Sequence, residues 1–168
     1  MKNYLLVRGP VEASAEALPI RGNIHEVFSA KEEYLGQWEY GAPDPLSIIF
    51  ADCDFLKRVN DTCGHLAGDD YIRSCADLLR YSLPKEALIF RTGGDEFAAF
   101  LPGTDAEEAD KLVRRIRENE GKYRIDGNPL SVSIGCSTMT GGRDLKHYLS
   151  LADQRMYDDK QRKKAVRE

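Results

Sequence analysis

The sequence predicts an α+β fold: a sandwich in which helices flank a mainly antiparallel sheet. Three observations carry this. Leu46-Ser47-Ile48-Ile49-Phe50-Ala51 is almost continuously apolar, as in a strand covered on both faces. Two apolar runs, 87–90 and 97–101, flank Gly93-Gly94, and glycine accepts the positive φ that tight hairpin turns require. Several further segments repeat apolar residues at three- and four-residue spacing, the mark of helices with one face inward.

Taken in order, residues 1–16 read as a short strand and a polar turn. Residues 18–40 carry Ile24, Val27, Phe28, Tyr34, Leu35 and Trp38 at roughly helical spacing, and Pro43 and Pro45 close that helix. The strand 46–51 ends in Asp52-Cys53-Asp54, and a polar loop follows. A helix from 69 to 83 turns Ile72, Cys75, Ala76, Leu79 and Leu83 inward. After the glycine hairpin, Thr104 and Glu107 form a capping box for a helix burying Ala109, Leu112, Val113 and Ile116. Leu130, Val132, Ile134 and Cys136 alternate with Ser131, Ser133 and Gly135, which predicts a half-buried strand. A last helix, 144–164, faces inward with Leu145, Tyr148, Leu149, Ala152 and Met156.

The 168 residues suit one domain with a proper core, and 42% hydrophobic residues exclude a largely disordered chain. A net charge of −4 supplies no general field for nucleic acid or anionic lipid, so any anionic ligand must be held by local groups. Cys53, Cys63, Cys75 and Cys136 form no C-x-x-C pair, which fits reduced thiols in a cytoplasmic protein. No apolar run reaches the ~18–20 residues that cross a bilayer.

The chemistry gathers at the polar breaks. A carboxylate at the end of an apolar strand is costly unless paired. Asp52 and Asp95 meet if the first strand lies beside the hairpin that carries Asp95-Glu96. Two or three converging carboxylates call for a hard divalent cation, and Mg²⁺ keeps water and substrate phosphate among its ligands. Gly64-His65-Leu66-Ala67-Gly68-Asp69 opens a helix, whose N-terminal N–H groups favour phosphate, and Lys57 adds a point charge. Asn60 and Asp69 suit a guanine edge, the carboxylate accepting from N1–H and the 2-amino group. Against all this stands the plainer reading of polar residues at an exposed turn.

Five segments decide between the two. Asp52-Cys53-Asp54-Phe55-Leu56-Lys57-Arg58-Val59-Asn60-Asp61, Gly64-His65-Leu66-Ala67-Gly68-Asp69, Arg91-Thr92-Gly93-Gly94-Asp95-Glu96-Phe97, Ser131-Val132-Ser133-Ile134-Gly135 and Ala152-Asp153-Gln154-Arg155-Met156-Tyr157-Asp158-Asp159-Lys160 resemble the diguanylate cyclase, or GGDEF, domain in order and spacing. The resemblance implies a palm-like, ferredoxin-like fold and condensation of two GTP molecules into cyclic di-GMP by residues 46–168, which form one globular unit with the N-terminal segment 1–45. It implies Mg²⁺ or Mn²⁺ held by the side chains of Asp52 and Asp95 and the carbonyl of Cys53, with Glu96 assisting the metal and deprotonating the attacking hydroxyl. Asp95 and Glu96 are thus the catalytic acids. Asn60 and Asp69 would hold guanine, and Lys57, Lys160 and Lys164 the triphosphate.

It further implies a catalytic homodimer and an upstream sensor domain or protein as input. The family's closing Lys-x-x-Gly-Arg reads Lys160-Gln161-Arg162-Lys163-Lys164 here, which keeps the charge without arginine's fork. Its Arg-x-x-Asp inhibitory motif is replaced by Pro84-Lys85-Glu86-Ala87. Its opening motif keeps little beyond Leu18 and Asn23. Two rivals stay in view, a GTP-binding module without turnover and a scaffold that keeps only the fold.

Overall fold

The strand predicted at 46–51 is the axis of the sheet and runs further than its apolar stretch, as β1 (Leu46–Cys53). In the computed structural model, residues 35–38 and 40–166 are described; the strand and most of the helix expected before them fall outside these residues. Strand order is β2-β3-β1-β6, with β2 (Leu88–Arg91), β3 (Glu96–Pro102) and β6 (Val132–Met139), and every pairing is antiparallel. The expected α+β class is the observed one.

Alternation along β1 divides the core into two layers. Ile49, Ala51 and Cys53 pack with Tyr71, Leu78 and Leu79 of α2 (His65–Ser82) and with Leu112 and Ile116 of α3 (Ala106–Glu120). Leu46, Ile48 and Phe50 face the other way, against Phe90, Phe100 and Met139, Trp38 from the helical turn 35–38, and Ala152 of α4 (Leu145–Ala165). Trp38 meets Phe100 edge-on, with ring centroids 5.3 Å apart.

Four expectations need correction. The polar loop after Asp54 is a helix, α1 (Leu56–Cys63), which buries only Val59 fully. Eight residues with one inward position give no readable apolar period. The helix expected from 69 begins at His65, because Gly64 (φ 88°) is the break and Gly68 lies inside the helix. The cap of α3 is Asp105, whose Oδ1 accepts from the Glu108 amide at 2.9 Å; the carbonyl of Thr104 instead receives the Ser47 hydroxyl at 2.8 Å. A small hairpin, β4 (Arg124–Ile125) with β5 (Asn128–Pro129), turns on Asp126 and Gly127, both at positive φ. That Asp-Gly pair is a type I′ signal the sequence displays openly.

The fourth correction positions the site. The alternation of β6 is present, yet its small-residue face is not wet: Ser133, Gly135 and Ser137 lie under α4. A Cβ at Gly135 would collide with the Ala152 carbonyl oxygen and the Met156 amide nitrogen, so helix backbone rests directly on strand backbone. The Ser137 hydroxyl donates to the Tyr148 carbonyl at 2.6 Å. Gly135→Ala is therefore expected to destabilise the fold by about 2–3 kcal/mol in denaturant titration, since neither backbone can yield locally. Stability within error of the parent would refute that close contact.

Candidate active site

The Gly-Gly loop is closed from both ends. The Thr92 amide donates to the Glu96 carbonyl at 2.9 Å, and the buried Arg91 guanidinium donates to the carbonyls of Gly93, at 3.0 Å through Nε, and Gly94. Burial pulls the Arg91 pKa down to about 10, so it remains charged at neutral pH. Sequence reasoning missed this residue. An arginine ending an apolar strand just before two glycines was its signal, because a cation is buried there only with acceptors to meet it. At the tip, the Asp95 carbonyl accepts from the Cys53 amide at 2.8 Å, which ties the loop to the end of β1. A Cβ at Gly93 would stand 2.9 Å from Oε2 of Glu96, so the glycine leaves room for that carboxylate to fold back.

Register brings the acids together. Asp52 lies directly opposite Glu96, and opposite residues of an antiparallel pair share a face. That is the face α4 covers, and Lys160 Nζ donates to Asp52 Oδ1 at 2.8 Å. Burial raises the Asp52 pKa to about 6; Lys160 works against this, and the negative charge of Asp95 adds to it. Burial pulls Lys160 down, but the hydrogen bond and charge of Asp52 leave its pKa raised. Asp52, Glu96, Tyr157, Lys160, Gln161 and Lys164 line a cleft of about 590 Å³. The sheet contributes the acids Asp52 and Glu96, and α4 contributes Lys160 and Lys164 together with Asp153.

Asn60 and Asp69 are also neighbours. A Cβ at Gly68 would strike the Asn60 carboxamide, so this side chain on α1 lies against the α2 backbone one residue from Asp69. Lys57 is exposed on the first turn of α1. Cys53 turns its thiol to the opposite face of the sheet, where a hydrogen bond with Cys75 and burial hold its pKa well above the usual thiol range. Asp54 does not join the acid cluster. It is 3% exposed and accepts from the hydroxyls of Ser131 at 2.9 Å and Ser133 at 2.6 Å.

Among the described residues, no group of three or more His, Cys, Asp or Glu side chains is gathered as metal ligands. A few carboxylates, one of them with an ammonium already at its oxygen, nonetheless fit a hard cation. Mg²⁺ takes few protein carboxylates and fills its shell with water and phosphate, and a cation at Asp52 would offset the desolvation that raises its pKa. No helix among the described residues is long and apolar enough to cross a membrane.

The chain resembles known proteins in sequence and in fold. A family profile described as "Diguanylate cyclase, GGDEF domain" matches residues 28–165. Diguanylate cyclase DosC of Escherichia coli (strain K12) is 32% identical over 123 residues, which are 70% of this chain and 27% of DosC. The chain thus spans about a quarter of that relative's length. Among solved structures, the active GGEEF domain of a diguanylate cyclase from Vibrio cholerae is 26% identical, with TM-score 0.63, over 79% of this chain and 82% of that one. The GGDEF domain of DgcB from Caulobacter crescentus, solved with c-di-GMP, shares the fold with TM-score 0.68 at 23% identity, over 90% of this chain and 92% of that one.

The Asp52 pKa has a signed consequence for the metal-free protein. A carboxyl raised from near 4 to about 6 stabilises the fold fully below pH 4, and that contribution is lost as pH rises through 6. Asp52→Asn should therefore be more stable than the parent at pH 7, by up to about 3 kcal/mol, and the advantage should vanish toward pH 4. Thermal unfolding of both proteins across this range tests it; a difference independent of pH would refute the assignment.

Proposed function

Because this chain belongs to the diguanylate cyclase, GGDEF domain family, we propose that it condenses two GTP molecules into cyclic di-GMP, releasing pyrophosphate. The observation that carries the reading is the Asp52–Lys160 contact across from Glu96, which puts metal-type acids and a phosphate-type cation in one cleft. In this reading residues 46–168 form the catalytic domain. Asn60 and Asp69 hydrogen-bond the guanine edge, while Lys57, Lys160 and Lys164 hold the triphosphate.

Asp52 and Asp95 would hold Mg²⁺ (or Mn²⁺) through their carboxylates and Cys53 through its carbonyl, with Glu96 alongside. Bound there, the ion would neutralise charge on the phosphates. Glu96 takes the proton of one GTP's 3′-hydroxyl as that oxygen attacks the α-phosphorus of the other, and the bond to pyrophosphate breaks. Repeating the step in the opposite sense closes the ring. Since each domain binds one GTP, two copies must face each other, and an isologous homodimer meets that need. A sensor domain or partner protein supplies the input, in the cytoplasm. The segment Pro84-Lys85-Glu86-Ala87 joins α2 to β2 and supplies no arginine for inhibition by the product.

Incubation with GTP and Mg²⁺ followed by nucleotide chromatography is the primary test, with cyclic di-GMP as the expected product. A thermal shift without product would indicate a binding module; neither shift nor product would leave a scaffold. Asp52→Ala and Asp95→Ala should each lower product formation by at least about 100-fold while the fold survives. Turnover at the parent's rate in either variant would overturn the metal assignment. With GTP and ATP supplied together, GTP alone should be consumed, since a mispaired base edge costs about 1–3 kcal/mol per unpaired buried group. Equal use of both nucleotides would show that Asn60 and Asp69 do not read guanine.

A further inference from the structure

The last turns of α4 have two working sides. One side lines the cleft with Tyr157, Lys160, Gln161 and Lys164. The other reaches inward through Asp159 and Lys163, which are four residues apart and so stacked on one face. Asp159 is 8% exposed; it accepts from the Ile134 amide at 2.9 Å and from the Arg117 guanidinium. The Lys163 ammonium donates to the Val132 carbonyl at 2.6 Å, and it lies 3.3 Å from the carboxylates of both Asp54 and Glu120 and 3.4 Å from the Ser131 hydroxyl. Glu120 in turn accepts from the Val132 amide at 3.1 Å.

This arrangement exceeds what a solvated lysine makes. The Asp54 side chain is 3% exposed and that of Glu120 is 14% exposed, with one ammonium between them. Removing it would leave the buried Asp54 carboxylate with hydroxyl partners alone and Glu120 with only Arg117, 3.4 Å away, a costly state for Asp54. It would also remove the tie between α4 and the Val132 carbonyl, leaving Asp159 as the remaining link from this turn to the start of β6. Lys163 lies one residue from Lys164 and three from Lys160, so the turns that its ammonium holds are the turns that carry theirs. The Gly135 contact anchors this helix further back, at Ala152 and Met156, and leaves its last turns to these ion pairs.

We infer that Lys163 is a positioning residue: by bridging Asp54, Glu120 and the Val132 carbonyl it holds the final turns of α4 so that Lys160 and Lys164 face the phosphates of a bound nucleotide. The inference rests on the GTP-binding reading of the cleft. Lys163 acts on the phosphate end of the ligand and leaves the Asn60–Asp69 end untouched.

The test compares calorimetric binding of GTP and GMP, each with Mg²⁺, to the full chain at a temperature where every variant is folded. Lys163→Met should weaken GTP by about five- to ten-fold and leave GMP unchanged, and Lys163→Arg should restore GTP binding. Should the methionine variant not fold, Lys163→Gln, neutral but polar, carries the same comparison. Unchanged affinity for GTP would overturn the inference by reducing Lys163 to a stability role. Equal weakening of GTP and GMP would overturn it by showing general damage. A parent chain that binds neither nucleotide would instead sink the functional reading, and this inference with it.

Discussion

The contact between the α4 backbone and β6 at Gly135 is the constraint on which the rest depends. A helix can lie that close to a strand only where the strand presents no side chain, and Ser133 and Ser137 on either side keep the approach narrow. Closeness brings Ala152 onto the second core layer and seals it against water. It also brings Lys160 within reach of Asp52 near the end of β1. The ion pair between Lys160 and Asp52 follows from a packing decision made two turns earlier on the helix.

Charge at and beside the cleft falls into two tiers on the same face of the sheet. The upper tier, Asp52 with Asp95, Glu96 and Lys160, holds three acids to one base; burial raises the Asp52 pKa, and the hydrogen bond from Lys160 does not undo this. The lower tier, formed by Asp54, Glu120 and Asp159 with Arg117, Arg162 and Lys163, is matched and hydrogen-bonded to backbone. An unmatched tier is a place for a ligand, whereas a matched one is a foundation. Arg91 belongs with the foundation, since its guanidinium is consumed by the loop carbonyls it holds.

What the sequence disclosed depended on how much apolar signal each segment carries. β1, the Gly-Gly hairpin, α3 and α4 are long or strongly patterned, and their existence was legible. α1 was not, because one buried valine in eight residues leaves no period to detect. The second face of β6 was misjudged because serine and glycine look like solvent-facing residues, and only the incoming helix makes them interior. The meeting of Asp52 with the hairpin acids could be expected once the strands were taken as neighbours, since register does the rest. Asp54 and Lys163 could not be assigned from their neighbours in sequence. An acid two residues from another reads as its helper, and a lysine in a basic run reads as surface, until the fold turns both toward Ser131.

Trp38 is the chain's one tryptophan, and it sits 9% exposed against Phe100 on the layer that α4 completes. An indole held edge-on to a phenyl ring in a dry layer emits at shorter wavelength than one in water, so a single chromophore reports whether this half of the core is intact. Excited selectively over the tyrosines, it distinguishes a chain whose α4 layer has opened from one in which only the opposite layer, with no tryptophan of its own, has loosened. The fold thus carries a built-in fluorescent gauge of the helix–strand contact that shapes its cleft.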